Sequence, residues 1–76
     1  MIRYKLGELL EKRQFQEGRR LTIQEIAAAT GINRTTLSKL LNQKGYVTGT
    51  DILDKLCGYF NCSLSEIAER IDDQTT

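Results

Sequence analysis

Apolar residues recur along the chain in short clusters spaced three and four apart, and two-residue alternation is poor throughout. This pattern predicts helices rather than strands. The first helix runs from about Arg3 to Gln16, with Leu6, Leu9, Leu10 and Arg13 or Gln14 on one buried stripe. Glu8 and Lys12 form an i,i+4 pair on its wet face, and Gly18 is its natural stop. Thr22 caps a second helix, with Glu25 three residues on completing a capping box, and Gly31 ends it in the left-handed conformation. Asn33 caps a third helix, with Leu37, Leu40 and Leu41 inward, which closes over Asn42-Gln43-Lys44-Gly45. After a loop, Thr48 or Thr50 caps a fourth helix whose stripe is Ile52, Leu53, Leu56, Cys57 and Phe60, ending at Asn61. Ser63 or Ser65 caps a fifth, with Leu64, Ile67, Ala68 and Ile71 inward, and residues 72–76 form a polar, fraying tail.

Seventy-six residues suit one domain, with a core over about 3–71 and no room for a second module. A chain this short buries only about 60–65% of its unfolded surface, so it must fold economically from local elements. A hydrophobic fraction of 39% with 28% charged residues is ordinary for a globular protein. No apolar stretch approaches the roughly 18 residues of a membrane span. No signal-peptide core follows Met1 either, so a cytoplasmic protein with no membrane partner is expected.

There is no histidine, which removes the commonest general base and zinc ligand. Cys57 and Cys62 cannot alone make a four-ligand metal site and read as small, reduced core residues. Tyr4 and Tyr59 read as core or rim aromatics. The carboxylates of Asp51, Asp54, Glu66, Glu69, Asp72 and Asp73 lack any nucleophile or metal partner, and Ser38 and Ser63 lack a base. Neither an enzyme nor a cofactor is expected.

The net charge of +1 hides a division. Residues 1–48 carry nine Lys/Arg against four Glu, giving +5, and residues 49–76 carry two against six, giving −4. This division predicts a molecule with one anion-facing side.

The stretch Leu21 to Asn42, LTIQEIAAATGINRTTLSKLLN, carries the functional signal. Ala27 is small where two helices cross, Gly31 turns the chain, Ile32 plugs between the helices, and Leu37 and Leu40 anchor the second to the first. Arg34, Thr35, Ser38 and Lys39 remain outward on a narrow cationic face sized for a DNA major groove. This stretch resembles the helix-turn-helix of the Cro/C1-type (lambda-repressor-like, XRE) DNA-binding family. The continuation TGTDILDKLCGYFNCSLSEI resembles that family's fourth and fifth helices, so the resemblance covers roughly Leu6 to Ile71.

The resemblance implies an all-α, five-helix domain whose recognition helix is 33–42. It implies base reading by Arg34, Thr35, Ser38 and Lys39, with Arg34 offering two hydrogen bonds to guanine for about 1–3 kcal/mol of discrimination. It implies phosphate contacts from Asn33 and Asn42, from Lys44 and Tyr46 in the following loop, and from the segment Thr22 to Gln24 at the second helix's N-terminus. Arg19 and Arg20 are an added phosphate clamp or merely solvated, and Tyr46 is packed in its loop or stacked on a base.

Three departures stand out. Ile23 occupies a position where the family commonly has glutamine, leaving Gln24 or Arg20 to replace it. Leu41-Asn42-Gln43 stands for a common Glu-Asn-Gly, so Arg13 must find another partner. The connection Gln14 to Arg20 is also longer than in compact members.

The function implied is a small transcriptional regulator, a repressor acting by operator occupancy on double-stranded DNA. With no effector domain, concentration, a partner or another subunit would regulate it. Two half-sites about 34–36 Å apart imply a homodimer on DNA, with the acidic fourth and fifth helices as its surface. The competing class is an antitoxin or adaptor that binds a protein partner through those acidic helices.

Overall fold

The computed structural model describes residues 1–72, so Asp73 and the remainder of the expected polar tail lie outside the described residues. The elements run β1 (Ile2–Tyr4), α1 (Leu6–Glu17), α2 (Ile23–Thr30), α3 (Arg34–Asn42), α4 (Thr50–Phe60), α5 (Leu64–Ile67) and β2 (Ala68–Arg70). Among the described residues five helices are present, as expected, and a two-stranded antiparallel ribbon joins them. Its register pairs Ile2 with Arg70, Arg3 with Glu69 and Tyr4 with Ala68.

That ribbon corrects both ends of the sequence reading. Arg3 to Lys5 do not begin the first helix. Their backbone groups turn to the far end of the chain, where the Lys5 N–H donates to Ile67 O at 2.7 Å. The fifth helix stops at Ile67, because Ala68 is extended (φ −144°, ψ 148°) and enters β2, and the Ile71 N–H donates to Met1 O at 2.9 Å. A four-residue helix has no interior, so pairing with β1 satisfies groups that a longer helix would have bonded to itself. Arg3 reinforces the register, reaching Glu69 at 2.7 Å and Glu8 at 3.0 Å.

Helix termini follow the local chemistry of the sequence. Gly18 (φ 66°) closes α1, and Asn61 closes α4 at φ 53°, a conformation asparagine tolerates better than most. Neither threonine proposed for α4 caps it. Gly49 does, its carbonyl accepting from the Ile52 and Leu53 N–H groups at 3.2 and 3.4 Å. At α5 the cap is Ser63, whose N–H and hydroxyl both donate to Glu66 Oε1, at 3.3 and 3.2 Å.

Nine apolar side chains form the core: Leu6, Leu21, Ile26, Ile32, Leu37, Leu40, Leu56, Phe60 and Ile67. Every element except β1 and β2 contributes, and Leu21 and Ile32 enter it from the two turns around α2. Leu41, Ile52, Cys57, Cys62, Tyr4 and Tyr59 pack partly buried around it. Leu64 departs from expectation: it is 57% exposed, because the first residue of so short a helix projects beyond the packed face.

Leu37 is 0% exposed and sits where α2 and α3 meet. Replacing it with alanine leaves a cavity that the surrounding helices fill only in part. Leu37→Ala should lower the unfolding free energy by about 2–5 kcal/mol, read from urea denaturation. A change below about 0.5 kcal/mol, the range of ordinary surface substitutions, would refute this placement.

Candidate nucleic-acid interface

The α2–α3 corner is built from three local devices. The Thr22 hydroxyl accepts from the Glu25 N–H at 3.2 Å, starting α2. Gly31 (φ 77°) ends it, a backbone state that glycine alone adopts without cost. The Thr30 hydroxyl then spans the turn, donating to Ile26 O at 2.7 Å and accepting from the Ile32 N–H at 3.2 Å. Asn33 caps α3 with its Oδ1, which accepts from the Thr35 N–H at 2.7 Å. The consequence is geometric: the N-termini of α2 and α3 open onto the same side of the molecule.

Between them lies an open groove of about 1250 Å³. One wall carries Arg20, Thr22 and Gln24, and the other carries Asn33, Arg34, Thr35, Ser38 and Lys39. All four residues expected to read bases therefore face one groove, together with four of the eight expected to touch phosphate. Arg34, Thr35 and Lys39 are exposed and Ser38 is half-buried.

The remaining expected residues lie elsewhere. Asn42 sits a turn further along α3 and donates its Nδ2–H to Ser38 Oγ at 3.3 Å. Lys44 is exposed in the loop that follows, and Tyr46 is half-buried there, with Lys39 Nζ 5.8 Å from its ring centroid. Arg19 points away from the groove, to Glu25 at 2.8 Å and Glu17 at 3.4 Å.

Leu10, Gln14 and Leu21 also line the groove without having been expected there from sequence, and Ile23 lines it between Thr22 and Gln24. Gln14 is the most informative. Its Oε1 accepts from the Leu21 N–H at 2.9 Å, tying the end of α1 to the entry of α2 across the long connection. Nothing in the sequence marks that bond, since a glutamine on a helical stripe is equally consistent with a solvated position. Ile23 packs against the core from the groove floor, while Gln24 and Arg20, its expected replacements, both stand on the wall.

Arg13 finds its partners in α4, and in Glu17 of its own helix at 3.6 Å, rather than in α3. Its Nη2–H donates to Tyr59 O at 3.1 Å, and its guanidinium lies 5.4 Å from the ring centroids of both Tyr59 and Phe60. A cation there meets one of the last carbonyls of α4, where the helix leaves acceptors unsatisfied and partial negative charge accumulates. On the same side, Cys57 and Cys62 are free and half-buried, and burial pushes the Cys62 thiol up, with Cys57 adding to the effect.

A family profile described as the Cro/C1-type HTH DNA-binding domain matches residues 5–73. The chain belongs to this family, and the α2-turn-α3 unit is its helix-turn-helix. DNA binding is thereby the activity of the class, and transcription regulation its usual setting. The curated proteins and the solved structures contain no match to the chain. Among the described residues no helix is long and apolar enough to cross a membrane.

The carboxylates around the corner carry a pH signature. The hydrogen bond from Arg19 holds the Glu25 carboxyl below its ordinary value, with help from the Thr22 backbone and hydroxyl, and Arg3 does the same for Glu69. A depressed folded pKa stabilises the folded chain above the unfolded pKa, and that contribution is lost as pH falls through the folded value. Stability should therefore decline on acidification below the ordinary carboxylate range. In a carbon-13 NMR titration, the midpoints of Glu25 and Glu69 should both lie below the ordinary value of a free glutamate, and midpoints at that value would contradict both pairings.

Proposed function

We propose that the protein is a sequence-specific, double-stranded-DNA-binding transcriptional regulator, acting as a repressor by occupying its operator. The observation that carries this reading is the shared groove, in which the exposed face of α3 stands opposite the N-terminus of α2. An α-helix fits the major groove, and the free N–H groups and dipole of a neighbouring helix N-terminus suit a phosphate.

In this reading Arg34 donates to guanine O6 and N7, and Thr35 offers its methyl to thymine or its hydroxyl to a base edge. Ser38 and Lys39, one turn on, reach the following base pairs. Asn33 and Thr22 already spend a side-chain oxygen on caps, so they serve phosphate through the turns they hold in shape. Gln24 and Arg20 supply donors from the opposite wall. Asn42, Lys44 and Tyr46 follow the backbone beyond the end of α3.

Two operator half-sites call for a dimer on DNA, and we assign its surface to α4 and α5. Leu64 supports this, standing 57% exposed beside an acidic segment that a phosphate backbone would repel. The same surface would serve the protein partner of an adaptor or antitoxin, but the groove favours DNA. No catalytic step, cofactor or metal enters this reading, and the setting is the cytoplasm.

Fluorescence anisotropy on duplex DNA across a salt series tests it. Affinity should fall linearly with log salt, with a slope of about −0.9 per phosphate neutralised. Arg34→Ala with Lys39→Ala should weaken a selected operator by about tenfold or more, and random duplex much less. Absence of binding at low salt would overturn the assignment and turn attention to a partner of α4 and α5.

A further inference from the structure

Two adjacent arginines enter α2, and the structure gives them opposite surroundings. Arg20 lines the groove and makes no ion pair among the described residues. Arg19 turns the other way. Its Nη1–H groups reach Glu25 Oε2 at 2.8 Å and Arg20 O at 3.2 Å, and its Nε lies 3.4 Å from Glu17 Oε1. Glu17 in turn lies 3.6 Å from Arg13 Nη1. Four side chains thus alternate in sign, Arg13–Glu17–Arg19–Glu25, from the last turns of α1 to the first turn of α2, across the left-handed bend at Gly18.

Glu25 creates a conflict at that point. It sits in the first turn of α2, where an acidic residue helps the cap but competes with any second anion. The N-terminus of a helix is equivalent to only about half a positive charge. A bare carboxylate there would repel the phosphate that the groove wall is placed to receive.

We propose that Arg19 is a positioning residue of the DNA interface: it neutralises Glu25 and holds the Arg20 carbonyl, so that Arg20 and the first turn of α2 can take the phosphate. This rests on the groove being the DNA interface. It also revises the sequence expectation that Arg19 and Arg20 act alike, since one arginine serves the phosphate and the other cancels the charge opposing it.

The distinction is measurable because the two roles leave different traces. A phosphate ligand contributes about 0.9 to the salt slope, whereas a group that neutralises a carboxylate within the protein contributes little. Binding of the full chain to one duplex is measured by anisotropy over a salt series for the wild type, Arg19→Ala, Glu25→Gln, the double variant and Arg20→Ala. Thermal melts followed by circular dichroism confirm that each is folded. Arg20→Ala should shallow the slope by about 0.9. Arg19→Ala should weaken binding by about threefold to tenfold, the scale of one surface charge contact, with the slope nearly unchanged. Adding Glu25→Gln should restore affinity to within about twofold of Glu25→Gln alone, the additivity error of independent sites.

An Arg19→Ala loss that Glu25→Gln does not repair, with a slope shallower by about 0.9, would make Arg19 a direct phosphate ligand and overturn the proposal alone. Unchanged affinity in Arg19→Ala would also overturn it. A wild-type chain that fails to bind duplex at low salt would overturn the reading of the groove and this assignment together.

Discussion

The left-handed turn at Gly31 is the constraint on which the rest of the structure depends. With φ at 77° the chain reverses within two residues of the end of α2 and delivers Ile32 straight into the core. Ile32 then holds α3 close enough for Leu37 and Leu40 to bury against Ile26 and Leu56 in the same cluster. The short turn leaves the first residues of both helices, Thr22 to Gln24 and Asn33 to Thr35, lining one groove. Groove, cationic wall and helix N-terminus are consequences of that one backbone state, fixed in place by the Thr30 hydroxyl on both sides of the turn.

Charge is then distributed around this corner so that it does not cancel within the groove. The acidic residues nearest to it, Glu17 and Glu25, are matched by Arg19 and Arg13 at distances of 2.8 to 3.6 Å. All of these side chains are partly exposed, so the pairs add little to stability individually. Their effect lies in arrangement. The carboxylates face a chain of arginines at the α1–α2 bend, and Arg20, Arg34 and Lys39 are left to face the groove. The overall charge of +1 says nothing of this.

What could be read from the sequence was local. The stops at Gly18, Gly31 and Asn61 and the caps at Thr22 and Asn33 each depend on a residue and its immediate neighbours, and each is where the spacing places it. So are Leu37, Leu40 and Ile32 in the core, and the four residues on the outer face of α3. The ribbon was illegible because its pairing spans the chain: Ile2 meets Arg70, and three residues per strand are too few for alternation to show. Leu64 was misplaced for a related reason, since a stripe read over Leu64, Ile67, Ala68 and Ile71 assumes a helix that pairing with β1 cuts short. The different fates of Arg19 and Arg20 were equally hidden. Adjacent arginines look alike until the bend at Gly18 brings Glu17 and Glu25 to one of them.

The ribbon also bears on the groove side of the molecule, although none of its residues lies in the groove. Gly45 follows α3 at φ 72°, and a Cβ there would stand 3.1 Å from the sulfur of Met1. The loop that presents Lys44 and Tyr46 therefore rests against the residue that precedes β1, and Met1 is held there by backbone bonds to Ile71. A glycine at this position serves two demands at once, the left-handed backbone and the close approach of a thioether. Pairing at the two ends of the described chain thus supports the loop beyond α3. Residues 1–5, which carry no part of the helix-turn-helix, belong to the physical support of its C-terminal end.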